Sequence, residues 1–420
     1  MAKNIFNSVF IDTTLKNLRQ LISRFPAKAR SVSVVSPFRI EAQWSAWKDK
    51  FPYILPYYAV KCNPEPILLR KLIQLGVNFD CASLREVYDV KKRVSEENMI
   101  PPHIIYAHPL KSTNDIETIG SMDINITVVD SLEECDKLLD SKWKGKAFIR
   151  VVVNDGDSKM PFSSKFGADY SELMKIVTYS KIPISGVSFH VGSGCMNPLL
   201  YEDAIDFASN TVFNILKRHN HNPRIIDIGG GFSSDPVEFS KCATVIQDAI
   251  GKNDKNKIFI AEPGRFFGQP SQDLFVKVIA KKTGIGGKGW RYVIDESVYG
   301  HFSCIPFDHQ TPAWFRIPTN NFESRRGIEE GILFGRTCDS LDVIAKGPME
   351  ELKVGDWLYF PLMGAYTSAT ASEFNGFPKP EILEDTTNLL PNIQHAWDMK
   401  REFHRRHVEL RYSNTLELMK

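Results

Sequence analysis

From about residue 30 to residue 270 this chain alternates short β-branched runs with longer amphipathic stretches, and nothing else in it limits the fold as tightly. Such alternation describes parallel strands joined by helices. The candidate strands are SVSVVS near Ser31, PYYAV ending at Val60, NFDCAS near Asp80, HIIYA near Ile104, ITVVD near Val128, AFIRVVV around Arg150, GVSFHVG around His190, RIIDIGG around Asp227 and KIFIAEPG around Glu262. Roughly eight or nine strands, separated by helical patterns such as PEPILLRKLIQLG, fit a (β/α)8 barrel better than a smaller wound sheet. After about residue 270, DLFVKVIAKKT, GWRYVIDES, GILFGR and DWLYFPL lie between Gly, Pro and Asn turns, as in a mostly antiparallel sheet. The expected organisation is α/β: a barrel over 30–270, and a second β domain made of 1–29 together with 271–420, with the boundary near Phe267 to Gln272.

Composition narrows the class of partner. A 420-residue chain that is 43% hydrophobic and 24% charged can bury a large core and is far from the balance that keeps chains disordered. Its net charge of +2, spread along the sequence, creates no field that calls for nucleic acid or anionic lipid, which leaves a small molecule. No apolar run approaches the roughly 20 residues of a membrane span. The opening MAKNIFNSVFIDTTLKNLRQ has neither a continuous apolar core nor a small-residue cleavage site, which argues against a secretory signal. Seven cysteines without CxxC spacing read as reduced thiols in a cytoplasmic protein, and no His or Cys pair stands at metal-ligand spacing. His404 to His407, a basic cluster in a helical-looking tail, reads as a solvated face.

Five features carry chemistry. Lys61 follows PYYAV and so stands at the C-terminal end of the first full barrel strand, the rim where barrel enzymes keep their sites. A lysine there can be desolvated and form a Schiff base with an aldehyde, although by position alone a surface lysine is the commoner outcome. Gly229, Gly230 and Gly231 after IIDI make a turn whose bare backbone can approach a phosphate, or simply a tight turn. In AEPGRFF, Glu262 could hold a pyridinium proton while Gly264 and Arg265 donate to the same phosphate; a plain Glu–Arg pair at a strand end explains that segment equally well. In FHVGSG, His190 could stack on a flat ring and Ser193 reach a phosphate oxygen, although a lone buried histidine is more often structural. Cys338-Asp339 in GRTCDSLD is, taken alone, a small residue beside an acid.

Taken together, PYYAVKCNPEP, NFDCAS, GVSFHVGSG, IDIGGGF, AEPGRFF, TCDSLD and GAYTSATASEFNGF stand in the order found in the eukaryotic-type ornithine decarboxylases, of the alanine-racemase-like pyridoxal-phosphate enzymes. The resemblance covers roughly residues 30 to 385. It implies pyridoxal 5'-phosphate as cofactor, with Lys61 as the Schiff-base lysine, Glu262 on the pyridine nitrogen and His190 against the ring. It implies a phosphate site of Ser193, Gly229 to Gly231, Gly264, Arg265 and Tyr366, with Asp80, Glu86 and Arg150 in supporting roles. It also implies a head-to-tail homodimer in which Cys338, as proton donor, and Asp339 act on the cofactor of the other subunit, and in which Asp308 and Asp339 meet the distal ammonium of ornithine.

Lysine competes with ornithine as the substrate, since one methylene is worth only about 1–3 kcal/mol of discrimination. Two rival functions are a non-catalytic regulator resembling antizyme inhibitor and a racemase. The first would lose cofactor residues that this chain keeps, and the second would need an acid-base residue, typically Tyr, where Cys-Asp stands. The chain departs from the family's pattern at Phe307 (usually Tyr), Glu296-Ser297 (commonly Asp-Gly), Arg336 (Pro) and Ser340 (Gly). STNDIETIGSMDINITVVDSLEECD is acid-rich where animal relatives are basic and bind antizyme. This predicts weak or absent antizyme binding; nanomolar association in a solution binding assay would overturn it.

Overall fold

The computed structural model describes residues 12–161, 163–195, 197–252, 257–318 and 327–418. It divides into two compact units: Glu41–Phe267, and the described residues up to Ile40 together with those from Gly268 onward.

The first strand, β1 (Ser31–Val35), corrects the sequence reading. It is buried at every position, like a barrel strand, yet it pairs with strands of the second unit and has no place in the barrel. The barrel is built from β2 (Ile54–Ala59), β3 (Asn78–Cys81), β4 (Ile104–Tyr106), β5 (Ile126–Val129), β6 (Lys146–Arg150), β8 (Ile184–Ser188), β10 (Ile225–Asp227) and β11 (Ile258–Ala261). A short two-stranded antiparallel sheet of β7 (Ser158–Met160) and β9 (Ser193–Cys195) lies outside it. All barrel pairings are parallel, and the ring closes where β11 lies beside β2, with Phe259 opposite Ile54 and Ala261 opposite Pro56. Tyr57, Ile105, Val128, Phe148 and Ile260 form one buried cluster. Large and small residues are matched in the ring: a Cβ at Gly186 would come within 2.7 Å of the Phe148 ring.

The second unit holds an eight-stranded sheet of β1, β12 (Gln272–Thr283), β13 (Trp290–Ile294), β14 (Phe315–Ile317), β15 (Ile328–Phe334), β16 (Val343–Glu350), β17 (Trp357–Phe360) and β18 (Glu381–Glu384). It is mostly antiparallel, with β1–β18 and β13–β15 parallel. β12 is its spine and pairs with β1, β13 and β17. Alternation along β12 sends Leu274, Val276 and Val278 into one apolar cluster and Phe275 into another. At the start of β12, Asp273 accepts both guanidinium nitrogens of Arg39 at 2.7 and 2.9 Å and also the Tyr359 hydroxyl. Arg39 Nε donates to the Pro391 carbonyl at 2.7 Å. The Arg39, Asp273 and Tyr359 side chains are all buried, and removing one partner of such a pair costs about 3–5 kcal/mol because the other charge is left bare.

The C-terminal helix Ile393–Leu418 amends the expectation of a wholly solvated basic face. Arg405 is exposed between Glu402 and Glu409, whereas Arg406 is buried and pairs with Glu402 at 2.6 Å. No described helix is long and apolar enough to cross a membrane.

Candidate active site

A parallel barrel sets all its strand ends on one rim, so neighbours in the ring become neighbours in the site whatever their distance in sequence. Lys61 sits in the single 3₁₀ turn Val60–Cys62 that follows β2. Because β11 lies beside β2, the AEPGRFF turn is next to it: Ala59 N–H donates to the Pro263 carbonyl at 3.4 Å, and a Cβ on Gly264 would stand 3.0 Å from the Cys62 Cβ. On the other side, Ala59 is in register with Asp80 at the end of β3. Beyond β11 come β10, with Asp227 opposite Ile260, and then β8, with Ser188 opposite Asp227. Arg150 at the end of β6 is in register with Ser188.

The glycine turn is built for close approach. Gly229 and Gly231 adopt φ of 66° and 102°, in the left-handed region that favours glycine. A Cβ at Gly229 would stand 2.3 Å from the Phe189 carbonyl, and one at Gly231 2.5 Å from the Gly192 carbonyl. Buried Tyr201 fixes the turn by donating its hydroxyl to the Gly230 carbonyl at 2.6 Å. Glu262 N–H ties it to the next strand end through the Gly229 carbonyl at 2.7 Å. Beside it, Arg265 Nη2 donates to Ser193 Oγ at 3.3 Å, which brings together two of the residues expected to bind phosphate.

The electrostatics are those of crowded acids. Burial pushes the Asp80 carboxyl up to about 8; Glu262 adds to the rise, and Lys61 and Arg150 oppose it. Glu86, in the first turn of helix Leu84–Glu96, accepts the Ala82 N–H at 2.6 Å and is still lifted by burial to about 7. Glu262 and Asp227 are raised by burial, and their side chains are hydrogen-bonded to each other. Asp227 Oδ1 also accepts the Gly229 N–H at 2.9 Å, while its Oδ2 is buried without a hydrogen-bond partner. Lys61 itself is exposed, the commoner outcome for a lysine at a strand end, and its charge acts on Asp80, Glu86 and Glu262. Burial, then Arg150 and Lys61, hold His190 well below the usual imidazole range. The ring is therefore neutral at pH 7. Its Nδ1 accepts the Gly192 N–H at 2.9 Å, which assigns the proton to Nε2.

The remaining sequence-expected residues lie in the second unit. Asp308 ends the helix Cys304–Asp308 and accepts from Gln310, whose amide also donates to the Ala365 carbonyl at 3.1 Å, next to Tyr366. Tyr366 adopts a left-handed φ of 54°. Cys338 is exposed and Asp339 half-buried in the loop 335–342. Asp339 accepts the Leu341 N–H at 2.9 Å and the Tyr299 hydroxyl, which together hold its carboxyl below the usual range. Sequence reasoning missed Asp227, Tyr201, Tyr299 and Gln310. For Asp227 the signal was present: an acid inside the apolar run RIIDIGG must meet a partner.

Comparison with known proteins identifies the family and the fold. Residues 38–269 match the pyridoxal binding domain of the pyridoxal-dependent decarboxylases. The ornithine decarboxylase of Caenorhabditis elegans is 37% identical over 371 residues, covering 83% of this chain and 86% of that protein. That of Schizosaccharomyces pombe is 35% identical, covering 93% and 91%. Among solved structures, the Paramecium bursaria Chlorella virus arginine decarboxylase bound to agmatine superposes with a TM-score of 0.81 at 32% identity, over 88% of this chain and 100% of that one. The Vibrio vulnificus lysine/ornithine decarboxylase complexed with putrescine gives 0.77 at 28%, over 89% and 98%.

The acid cluster has a pH signature. A carboxyl whose folded-state pKa is raised contributes stability that is fully present below its unfolded value near 4 and is lost as pH rises toward the folded value. Asp227→Asn removes one such group. In protein free of cofactor, where burial lifts the Asp227 carboxyl to about 7, the variant should therefore gain stability relative to wild type as pH rises from about 4 to about 7, by at most about 1.4 kcal/mol per pH unit. Urea unfolding at several pH values measures the difference, and an offset independent of pH would mean that Asp227 titrates like a solvent-exposed carboxyl.

Proposed function

The chain belongs to the pyridoxal-dependent decarboxylases, and from that membership we propose that it converts L-ornithine to putrescine and carbon dioxide in a homodimer with shared sites. The cofactor implied by the family fits the residues present. The Gly229–Gly231 turn is bare backbone packed so closely on the Phe189, Glu262 and Gly192 carbonyls that no side chain fits, Ser193 and Arg265 stand together, and Asp227 Oδ2 lies buried in an acid pair short of positive charge. An anion at one end and a protonated ring nitrogen at the other suit that arrangement.

Lys61 Nζ would hold the aldehyde of pyridoxal phosphate, and Ser193, Gly229 to Gly231, Gly264, Arg265 and Tyr366 its phosphate. Glu262, backed by Asp227, would keep the ring nitrogen protonated, with neutral His190 against the ring face and Asp80, Glu86 and Arg150 around the amine. When bound, the cofactor supplies an electron-poor ring that takes up the electron pair left as carbon dioxide departs. Cys338 of the second copy then delivers a proton from Sγ to the α carbon.

The observation that carries the substrate assignment is Asp339. Two donors hold it ionised at a half-buried position, and no cation pairs with it among the described residues. An anion preserved in that way suits a distal ammonium, and Asp308 would be its companion. A substrate ending in a second carboxylate would be repelled.

Parallel measurement of carbon dioxide release from ornithine, lysine and arginine tests the reading. Ornithine should give the highest kcat/KM, and borohydride should bleach the bound cofactor and label Lys61; higher kcat/KM on lysine or arginine would replace the substrate assignment, and a colourless protein would end the proposal. Cys338→Ala should slow turnover at least tenfold and release part of the product as an amino-aldehyde, because the proton goes to the wrong carbon. A wild-type product ratio would remove Cys338 from this role.

A further inference from the structure

Two of the departures seen in the sequence, Glu296 and Arg336, meet in the structure. Arg336 Nη2 lies 3.4 Å from Glu296 Oε2, and Nη1 lies 3.5 Å from Asp295 Oδ1. The Arg336 N–H donates to the Glu296 carbonyl at 3.0 Å. The guanidinium also donates to the Pro378 carbonyl and lies 4.8 Å over the Phe377 ring. Only 6% of this side chain is exposed and none of Glu296, so the contact is enclosed rather than a surface ion pair.

Three segments converge on this contact: the end of β13, the loop 335–342 and the turn 373–379. The loop is cinched at its base by buried Asp342, which accepts the Thr337 N–H at 3.0 Å, the Thr337 hydroxyl at 2.6 Å and the Val298 N–H at 2.9 Å. Its working end is held by the neighbouring segments. The Cys338 N–H donates to Asn375 Oδ1 at 3.1 Å, and the Tyr299 hydroxyl that binds Asp339 belongs to a ring stacked 4.3 Å from Phe374. Both Asn375 and Phe374 lie on the turn that Arg336 grips through Pro378 and Phe377. A proline at position 336 could make none of these contacts, and an acid shorter than Glu296 would reach less far toward the guanidinium.

We infer that Arg336, seated on Glu296 and Asp295, is a positioning residue: it clamps the 373–379 turn to the 335–342 loop and so fixes the Cys338 thiol and the Asp339 carboxylate in their working geometry. The inference rests on the proposed roles of Cys338 and Asp339. The groups facing Glu296 are Arg336, Asp295 and the buried His301, whose backbone N–H it accepts and whose ring is held by burial at about 3 and so is neutral at pH 7. Burial lifts Glu296 itself to about 7 against the pull of the His301 N–H and Arg336, so that the clamp is strongest above neutrality.

The test uses the full-length holoenzyme with Arg336→Gln, Arg336→Lys and Glu296→Gln, reading KM and kcat for ornithine and the rate of Cys338 alkylation resolved by peptide mass. Arg336→Gln should raise KM at least tenfold and speed alkylation of Cys338 several-fold, while cofactor absorbance is retained. Arg336→Lys, which keeps the charge without the fork, should fall between that variant and wild type. If Arg336→Gln does not fold, Glu296→Gln carries the test, with the same changes at smaller amplitude. A lower thermal midpoint with wild-type KM and alkylation rate would reduce Arg336 to a structural residue and overturn the inference. Asp339→Asn separates the two levels: if it leaves KM unchanged, the substrate reading itself fails, whereas if it raises KM and the Arg336 variants do not, only the clamp fails.

Discussion

The hydrogen bonding of β11 to β2 is the contact on which the site depends. Until the ring closes, Lys61 and Glu262 are two hundred residues apart with no reason to meet; once Ala261 lies opposite Pro56, they follow adjacent strands on one rim. The other strand ends then have fixed places, His190 and Asp227 on one side and Asp80 on the other. Position in the ring supplies proximity, and side-chain contacts such as Arg265–Ser193 and Glu262–Asp227 follow from it. The glycine turn adds what register cannot, a stretch of backbone stripped of side chains and pinned by Tyr201.

Much of this was legible in the sequence because a parallel barrel strand is buried on both faces and reads as an unbroken apolar run. Eight of the nine candidate strands stand in the barrel. The ninth, β1, was indistinguishable from them because it too is buried at every position; what differs is its partners, and no pattern in SVSVV encodes them. The rim residues were visible for the same reason, since each follows a run whose end marks the rim. Asp227 was passed over as part of its strand because its significance lies in the Glu262 carboxyl at the end of the neighbouring strand.

The second unit was less readable. Cys338 and Asp339 were found by likeness to a known motif, and two of the groups that hold them, Tyr299 and Asn375, lie on separate segments joined only through space. Glu296 and Arg336 could be seen as two odd residues forty positions apart, but not as a pair. Substitutions that look independent along the chain can be one change in the folded molecule, with each residue supplying the other's counter-charge.

The place of β1 bears on how the chain is made. It leaves the ribosome long before its partners Gln272–Val276 and Glu381–Glu384, which come more than two hundred and more than three hundred residues later. At about 5–20 residues per second, an apolar ribbon with both edges bare must wait on the order of tens of seconds while the segment that forms the barrel emerges behind it. The nascent chain thus carries a bare-edged strand well ahead of the segments that cover it, so the sheet can be completed only after Glu381–Glu384 has been made.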